Sequence, residues 1–422
     1  MSSSDRASLA PVPPAVVIGV DSITGLQTAR ILAARSVPVY AVAADRRHWG
    51  ARTNTCVEVV ESALSGPGLV DALVALGGRL DQRAVLVPCT DAAVDTVSRH
   101  REKLAERFVL GLAEHSVVEL LLDKARFARY AREHGLPVPR TEVLTDRTQA
   151  TSVAASIGYP CVLKPPHKAP TWLAHTSAKG FAAATADELL AIYDRVGSWA
   201  PFLVVQEWIP GEERELYSCN AVFGDGGRPL ATFVARKIRQ WPPDIGVSSS
   251  GEECRNDEVL ETTIRLFGGL GYRGLAYLEM KRDARTGQLL IVEPNVGRPT
   301  GRSAIAEAGG VDLVYTAFCD AAGLPLPGSR QQRYGDAKWL DLRRDVQAAV
   351  VARRRGTLTV RDWLRWVRGP TAHAIWSRRD PWPFAVDVAT ATRTGVRMLG
   401  ASRTSSITRP PTRTSTAEGA ST

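Results

Sequence analysis

GLAYLEMKRD at residues 274–283, followed by QLLIVEPNV at 288–296, is the stretch on which the reading of this chain turns. Apolar side chains dominate both runs and alternate in the way of neighbouring antiparallel strands. Each run nevertheless carries an acid, Glu279 and Glu293, where a core residue is expected. A buried carboxylate without a cation is expensive. Two acids with the amide oxygen of Asn295 form a hard-oxygen set suited to Mg²⁺, which takes few carboxylates and otherwise phosphate and water oxygens. A salt bridge to Lys281 or Arg298 is the structural alternative.

Upstream, ELYSCNAVF (215–223) and PLATFVARKIRQ (229–240) continue the alternating pattern, so an antiparallel sheet is expected. The apolar strand FLVVQEWI (202–209) runs into Gln206, Glu207 and Ile209, then Pro210 and Gly211. Such a linker can offer backbone N–H and C=O groups to an adenine, with a later carboxylate accepting from ribose hydroxyls. A strand ending in a turn with solvated acids is the bland reading. Lys164 closes the apolar strand YPCVLKP (159–165), where a partly desolvated ammonium calls for an anion such as phosphate. TEVL (141–144), a helix near 148–157 and YPCVLKP form a strand, helix, strand unit. A Gly/Ser/Lys-bearing loop and a helix at 186–196 follow. Residues 116–136 are helical in spacing, with Gly135 and Pro137 as the stop, and carry Lys124. Alone, Lys124 reads as a solvated surface lysine.

The N-terminal part has a different grammar. AVVIGVDSITGLQTARIL (15–32) is a strand, a Gly-bearing turn and a helix, VPVYAVAA (37–44) is a second strand, and AVLVPCTD (84–91) precedes a helix at about 92–106. Residues 14–115 therefore read as a small parallel α/β domain of Rossmann-like type. The GxDxxTG turn lacks the full dinucleotide fingerprint and reads as a tight turn.

At 422 residues, with 44% hydrophobic and 23% charged, the chain is long and apolar enough for several packed domains. No signal peptide or membrane span is legible, so the cytoplasm is the expected compartment. The six cysteines (Cys56, Cys89, Cys161, Cys219, Cys254 and Cys319) stand singly, which argues against disulfides or a zinc site. The net charge of +9 is concentrated in residues 331–422, which hold 17 Lys and Arg against 7 Asp and Glu. With a neutral body and no aromatics interleaved in the tail, nucleic-acid binding is not expected. Residues 331–400 read as a helical Arg/Trp-rich extension. WSRRDPWPF (376–384) within it is expected to be extended by Pro381 and Pro383. The extension reads either as an amphipathic segment for peripheral membrane contact or as packing its tryptophans onto the body. Packing is favoured because Trp339, Trp363, Trp366, Trp376 and Trp382 fall on no single face. Residues 401–422 are low in complexity and expected to be disordered.

In this order, DKARF…GLPVPRT, YPCVLKP, QEWIPG, LAYLEMK and VEPNVGR, the segments across roughly residues 15–330 resemble the ATP-grasp superfamily. They look most like its carboxylate–amine ligases related to D-aspartate ligase and its carbamoyl-phosphate-synthase-like proteins. The resemblance implies a Rossmann-like pre-ATP-grasp domain at 14–115 and a two-lobed ATP-grasp domain at 116–330, with a small lobe at about 140–205 and a large lobe at about 206–330.

Residue by residue, it implies that Lys124 and Lys164 hold the nucleotide phosphates and that HTSAKG (175–180), with Lys179, is the loop closing over them. Gln206, Glu207 and Ile209 match the adenine linker, and Glu215 the ribose acid, with Glu212 and Glu213 as competitors. Glu279, Glu293 and Asn295 match the magnesium ligands. Arg298 matches the arginine beside the reacting phosphate, but the spacing EPNVGR is one residue longer than the family's usual ExNxR. Arg302 is therefore a rival. Lys237 or Arg236 can meet the γ-phosphate or a substrate carboxylate.

The implied activity is an ADP-forming ligase that uses ATP with Mg²⁺, or Mn²⁺ in its place, to form a C–N bond through an acyl phosphate. Its partners are a small-molecule carboxylate and an amine, with a homo-oligomer such as a dimer expected. No nucleophilic Ser or Cys pattern is present, and His167 and His175 read as surface or packing residues. The alternatives are an ATP-grasp carboxylating enzyme and a catalytically silent ATP-binding regulatory protein.

Overall fold

The computed structural model describes residues 12–399 except 168–169, 177, 244–245 and 369–370; the expected disorder of 401–422 lies outside the described residues. AVVI forms β1 (Ala15–Ile18), buried along its whole length, as an interior parallel strand must be. With β2 (Val39–Ala43), β3 (Glu58–Glu61), β4 (Ala84–Pro88) and β5 (Phe108–Leu110) it makes a parallel sheet in the order β3-β2-β1-β4-β5. The turn after β1 needs its glycines. Gly19 has φ +94°, and a Cβ on Gly25 would stand 2.1 Å from the Gly19 carbonyl oxygen. Ser22 then caps the following helix, Ile23–Ala33, by accepting from the Gly25 N–H at 3.0 Å.

β6 (Thr141–Leu144), β7 (Cys161–Lys164), β8 (Phe181–Ala183) and β9 (Leu203–Glu207) form an antiparallel sheet in the order β6-β9-β7-β8. The remaining strands are β10 (Leu216–Phe223), β11 (Pro229–Trp241), β12 (Val247–Glu253), β13 (Gly274–Arg282), β14 (Leu289–Val296), β15 (Lys338–Leu340) and β16 (Thr371–His373). They join as β14-β13-β10-β11-β12-β15-β16. The described residues divide into two compact units. One comprises the residues up to Leu122, Ala131–Pro137 and Pro210–Ala391, with the parallel and the large sheets. The other comprises Asp123–Tyr130, Val138–Ile209 and the described residues from Thr392, with the four-stranded sheet.

Within the first unit, helix Leu313–Ala322 serves two cores. Val314, Phe318 and Cys319 pack with β1, β2 and β4, while Leu313 joins Phe233, Ala235, Leu275 and Trp339 on the large sheet. Just before it, Glu307 is half-buried beside Asp312, and both carboxylates meet Arg35. Burial, then the Asp312 charge, pushes Glu307 up from its ordinary 4.5 to about 8 against the opposing pull of Arg35. A folded pKa above the unfolded one means that the contribution of Glu307 is whole below pH 4.5 and lost as pH rises through about 8. Glu307→Gln, neutral throughout, is therefore expected to gain stability over the parent by a few kcal/mol, as an order of magnitude, at pH above 8 and little below 4.5, by urea denaturation across pH.

The extension departs from the sequence reading in two respects. It is not purely helical, because β15 and β16 add strands to the large sheet. Pro383 is also not in an extended segment: it sits in the first turn of helix Trp382–Leu399, where a missing N–H costs nothing. The helical reading of 116–136 resolves into His115–Leu122 and Lys124–Glu133, broken at Asp123, whose carboxylate accepts from the N–H groups of Ala125 and Arg126 at 2.8 and 2.9 Å. Trp339 is buried, and the indole N–H of Trp363 donates to the fully buried Asp345 at 2.9 Å. Trp376 and Trp382 stay exposed. All six cysteines are free, and no helix among the described residues is long and apolar enough to cross a membrane.

Candidate active site

Strand register decides which polar residues of the large sheet share a face. Glu279 on β13 stands directly opposite Glu293 on β14 and, on its other side, opposite Ser218 on β10. Tyr277 stands opposite Asn295 and Asn220, Ser218 opposite Ala235, and Lys237 opposite Gly251. Side chains opposite one another, or two apart along a strand, lie on the same face. Glu279, Glu293, Asn295, Tyr277, Ser218 and Lys237 therefore share one face. Arg236 lies on the other, where its guanidinium is bonded to Glu252 at 2.8 and 2.6 Å. The apolar end of the shared face is covered by Ile305, Ala306, Val311 and Leu313.

Three cations are held at the polar end. Arg302 is 4% exposed and donates through Nη2 to Ser218 Oγ at 3.0 Å, while its buried Nε–H has no partner among the described residues. Burial lowers its pKa, and the charge of Glu279 opposes that shift. Arg298 is tied on several sides: to Tyr277 Oη at 2.7 Å, to Asn295 Oδ1 at 2.7 Å, and through Nε to Asp91 at the start of the helix after β4. Burial lowers its pKa, but Asp91 and Tyr277 outweigh burial and raise it. The Lys237 ammonium, 7% exposed, donates to Gln240 Oε1 at 2.9 Å, and the Gln240 backbone N–H donates to Glu213 at 3.1 Å. Among the candidate ribose acids, Glu213 is thus linked to Lys237. Glu215 accepts from the Tyr217 hydroxyl at 3.1 Å and pairs with Arg282 at 3.4 Å.

The donor set fits a magnesium ion. Like charges directly opposite across a ladder repel, and a divalent cation turns that repulsion into attraction. Among the described residues no group of three or more His, Cys, Asp or Glu is placed to hold a metal; two carboxylates with an amide oxygen are a donor set of the small size that Mg²⁺ takes. Asn295 is 5% exposed with its Nδ2 unpartnered among the described residues, and its Oδ1 keeps a second lone pair beyond the bond from Arg298.

The four-stranded sheet carries the other expected residues. Leu163, Leu203, Val205 and Ala183 pack on Ile157, Leu189, Val196 and Trp172. Alternation places Lys164, Gln206 and Thr141 on the opposite side. The Lys164 ammonium donates to Gln206 Oε1 at 2.7 Å, and Gln206 Nε2 donates to Thr141 Oγ1 at 3.1 Å. The Glu207 side chain is bound by Arg140 at 3.1 Å, its backbone N–H donates to the Arg140 carbonyl at 2.9 Å, and Ile209 beyond it is buried. The Lys124 N–H donates to Pro166 O at 3.1 Å, two residues past Lys164.

In the expected loop, Trp172 Nε1 donates to Ala178 O at 2.9 Å and His175 stacks on Trp199 at 4.6 Å, a packing role. Lys179 is exposed. A Cβ on Gly180 would lie 2.8 Å from Lys164 Cγ, so glycine there lets the loop meet the lysine stem. Sequence reasoning missed Asp91, Ser218, Tyr277 and Gln240. Of these only Tyr277 had a signal, two residues before Glu279 on an alternating strand.

No protein-family model matches the chain. Among curated proteins, the D-aspartate ligase of Enterococcus faecium (strain Aus0004) is 22% identical over 260 residues, 58% of this chain and 61% of that one. The D-alanine–D-alanine ligase of Ectopseudomonas mendocina (strain ymp) is 28% identical over 211 residues, 46% of this chain and 62% of that one. The chain thus spans less than two thirds of the length of these relatives. Among solved structures, the N5-carboxyaminoimidazole synthetase of Staphylococcus aureus complexed with ADP superposes with a TM-score of 0.59 at 14% identity, over 76% of this chain and 80% of that one. The fold is the ATP-grasp fold, and the chain resembles the ATP-grasp carboxylate–amine ligases.

Proposed function

We propose that the protein is an ATP-dependent, ADP-forming carboxylate–amine ligase. The observation that carries the reading is the polar end of the large-sheet face, where Glu279 opposes Glu293 beside Asn295, with Lys237 and the incompletely bonded Arg302 at hand. Residues 14–115 are the pre-ATP-grasp domain, 116–330 the ATP-grasp domain and 331–400 an extension of it. Lys124, Lys164 and Lys179 bind the nucleotide phosphates, the peptide groups of Gln206, Glu207 and Ile209 the adenine, and Glu213 or Glu215 the ribose. Glu279, Glu293 and Asn295 would hold Mg²⁺ or Mn²⁺, which neutralises triphosphate charge when bound. A substrate carboxylate oxygen attacks the γ-phosphorus as ADP leaves. The amine then attacks the acyl carbon, and inorganic phosphate departs as the nitrogen gives up its proton. Arg302 and Lys237 counter charge on the transferring phosphoryl group. Arg298, held by Asp91 and Tyr277, orients Asn295.

The test is ADP release with Mg²⁺ and a panel of amino acids, using hydroxylamine to trap acyl phosphates as hydroxamates. Hydroxamate that requires one carboxylate and disappears in Glu293→Ala is the expected result. Bicarbonate-stimulated ADP release without hydroxamate would assign a carboxylating enzyme instead, and nucleotide binding without stimulated turnover a silent regulator.

A further inference from the structure

We propose that the C-terminal extension docks on an anionic lipid surface through an aliphatic stripe on the outer side of its first two helices. Helix Leu342–Arg354 turns Asp345 and Ala348 inward. Asp345 accepts both Nε and Nη2 of Arg239 at 2.8 and 2.9 Å, fixing the helix on the large sheet. On the outer side Leu342, Val346 and Val350 recur every four residues at 40%, 41% and 46% exposure. The next helix, Val360–Trp366, repeats the arrangement. Trp363 and Trp366 donate inward, to Asp345 and Glu252, while Val360 and Leu364, again four apart, are 48% and 43% exposed. Two successive helices thus keep their tryptophans on the protein and each leave an aliphatic row to solvent, and exposed apolar area of this kind signals a partner.

The charge around the stripe selects the partner. Residues 342–368 hold eight arginines against two aspartates, one of which is the buried Asp345. Arg353, Arg354 and Arg361 are exposed beside the stripe. Apolar area together with exposed cations is what binds an interfacial helix to anionic lipid. A second copy of this face would bring arginines against arginines, and a nucleic acid would find no outward aromatic ring on these helices to stack upon.

The experiment is flotation of the full chain with vesicles of phosphatidylcholine containing about 30 mol % phosphatidylglycerol, against phosphatidylcholine alone. Binding to the anionic vesicles should be at least ~10-fold stronger, fall as salt is raised, and be lost in the double variant Val346→Asp, Leu364→Asp. The urea unfolding midpoint of that variant should match the parent's, because both positions are exposed; this shows that it is folded and keeps the test independent of the ligase reading. Equal binding to both vesicles, no binding to either, or binding that survives the double variant overturns the proposal. So does a dimer in light scattering that the double variant splits, since the stripe would then belong to a second copy.

Discussion

Arg302→Met is expected to lower carboxylate-dependent ADP release by on the order of 10²–10³-fold while the free energy of unfolding by urea changes by no more than about 1 kcal/mol. The two readouts separate because of how the arginine is held. It is 4% exposed, and among the described residues its guanidinium makes one hydrogen bond, to Ser218, and leaves its Nε–H buried without a partner. The desolvation of this guanidinium is therefore poorly repaid within the protein, and a side chain of similar volume without charge relieves that cost. An anion in the site would complete the missing bond, so the cost falls on catalysis. An arginine serving as a structural keystone would behave oppositely, losing about 3–5 kcal/mol of stability when its partners are left buried. Arg298 is the internal contrast. Bonded to Tyr277, Asn295 and Asp91, it should lose stability and activity together when changed to Met.

The sequence reads Arg298 as the arginine beside the reacting phosphate and Arg302, four residues on, as its rival; how each is held was not legible there, because it depends on partners from other strands. The acids were legible, because Glu279 and Glu293 interrupt strongly apolar alternating runs. Their face-to-face pairing was not, because register is a property of two strands and no turn sequence fixes it over that loop. The choice between Arg236 and Lys237 likewise waited for the partner strands. Parity alone says that the two point to opposite sides, and only the pairing of Ala235 with Ser218 says which side carries Glu279.

Strands of the large sheet that the sequence reading lacked were hidden for two reasons. VSSSGEE of β12 is poor in β-branched and aromatic residues and is a strand because β11 and β15 flank it. β15 and β16 have three residues each, too short for any period to register. The break at Asp123, by contrast, was available: an aspartate before KARF is a helix N-cap type.

Glu293→Gln is expected to lower ADP release at least about 10³-fold and, without any turnover, to erase the difference between ATP with Mg²⁺ and ATP with EDTA in thermal unfolding. In the parent, Mg-ATP at about 100 times its Kd should stabilise by roughly 2.7 kcal/mol, and withdrawal of the metal should remove most of that. The reason lies in the ladder. Glu279 and Glu293 face each other across β13 and β14, where like charges repel, and a divalent cation between them would turn that repulsion into attraction. Replacing one carboxylate with an amide of the same size keeps the packing and removes the charge that the cation needs. Were Glu293 chiefly the anchor of a salt bridge, the ligand-free variant would unfold at a lower temperature and the magnesium-dependent difference would persist. Glu279→Gln must give the same loss of metal dependence, since a cation shared by two facing carboxylates cannot depend on only one of them.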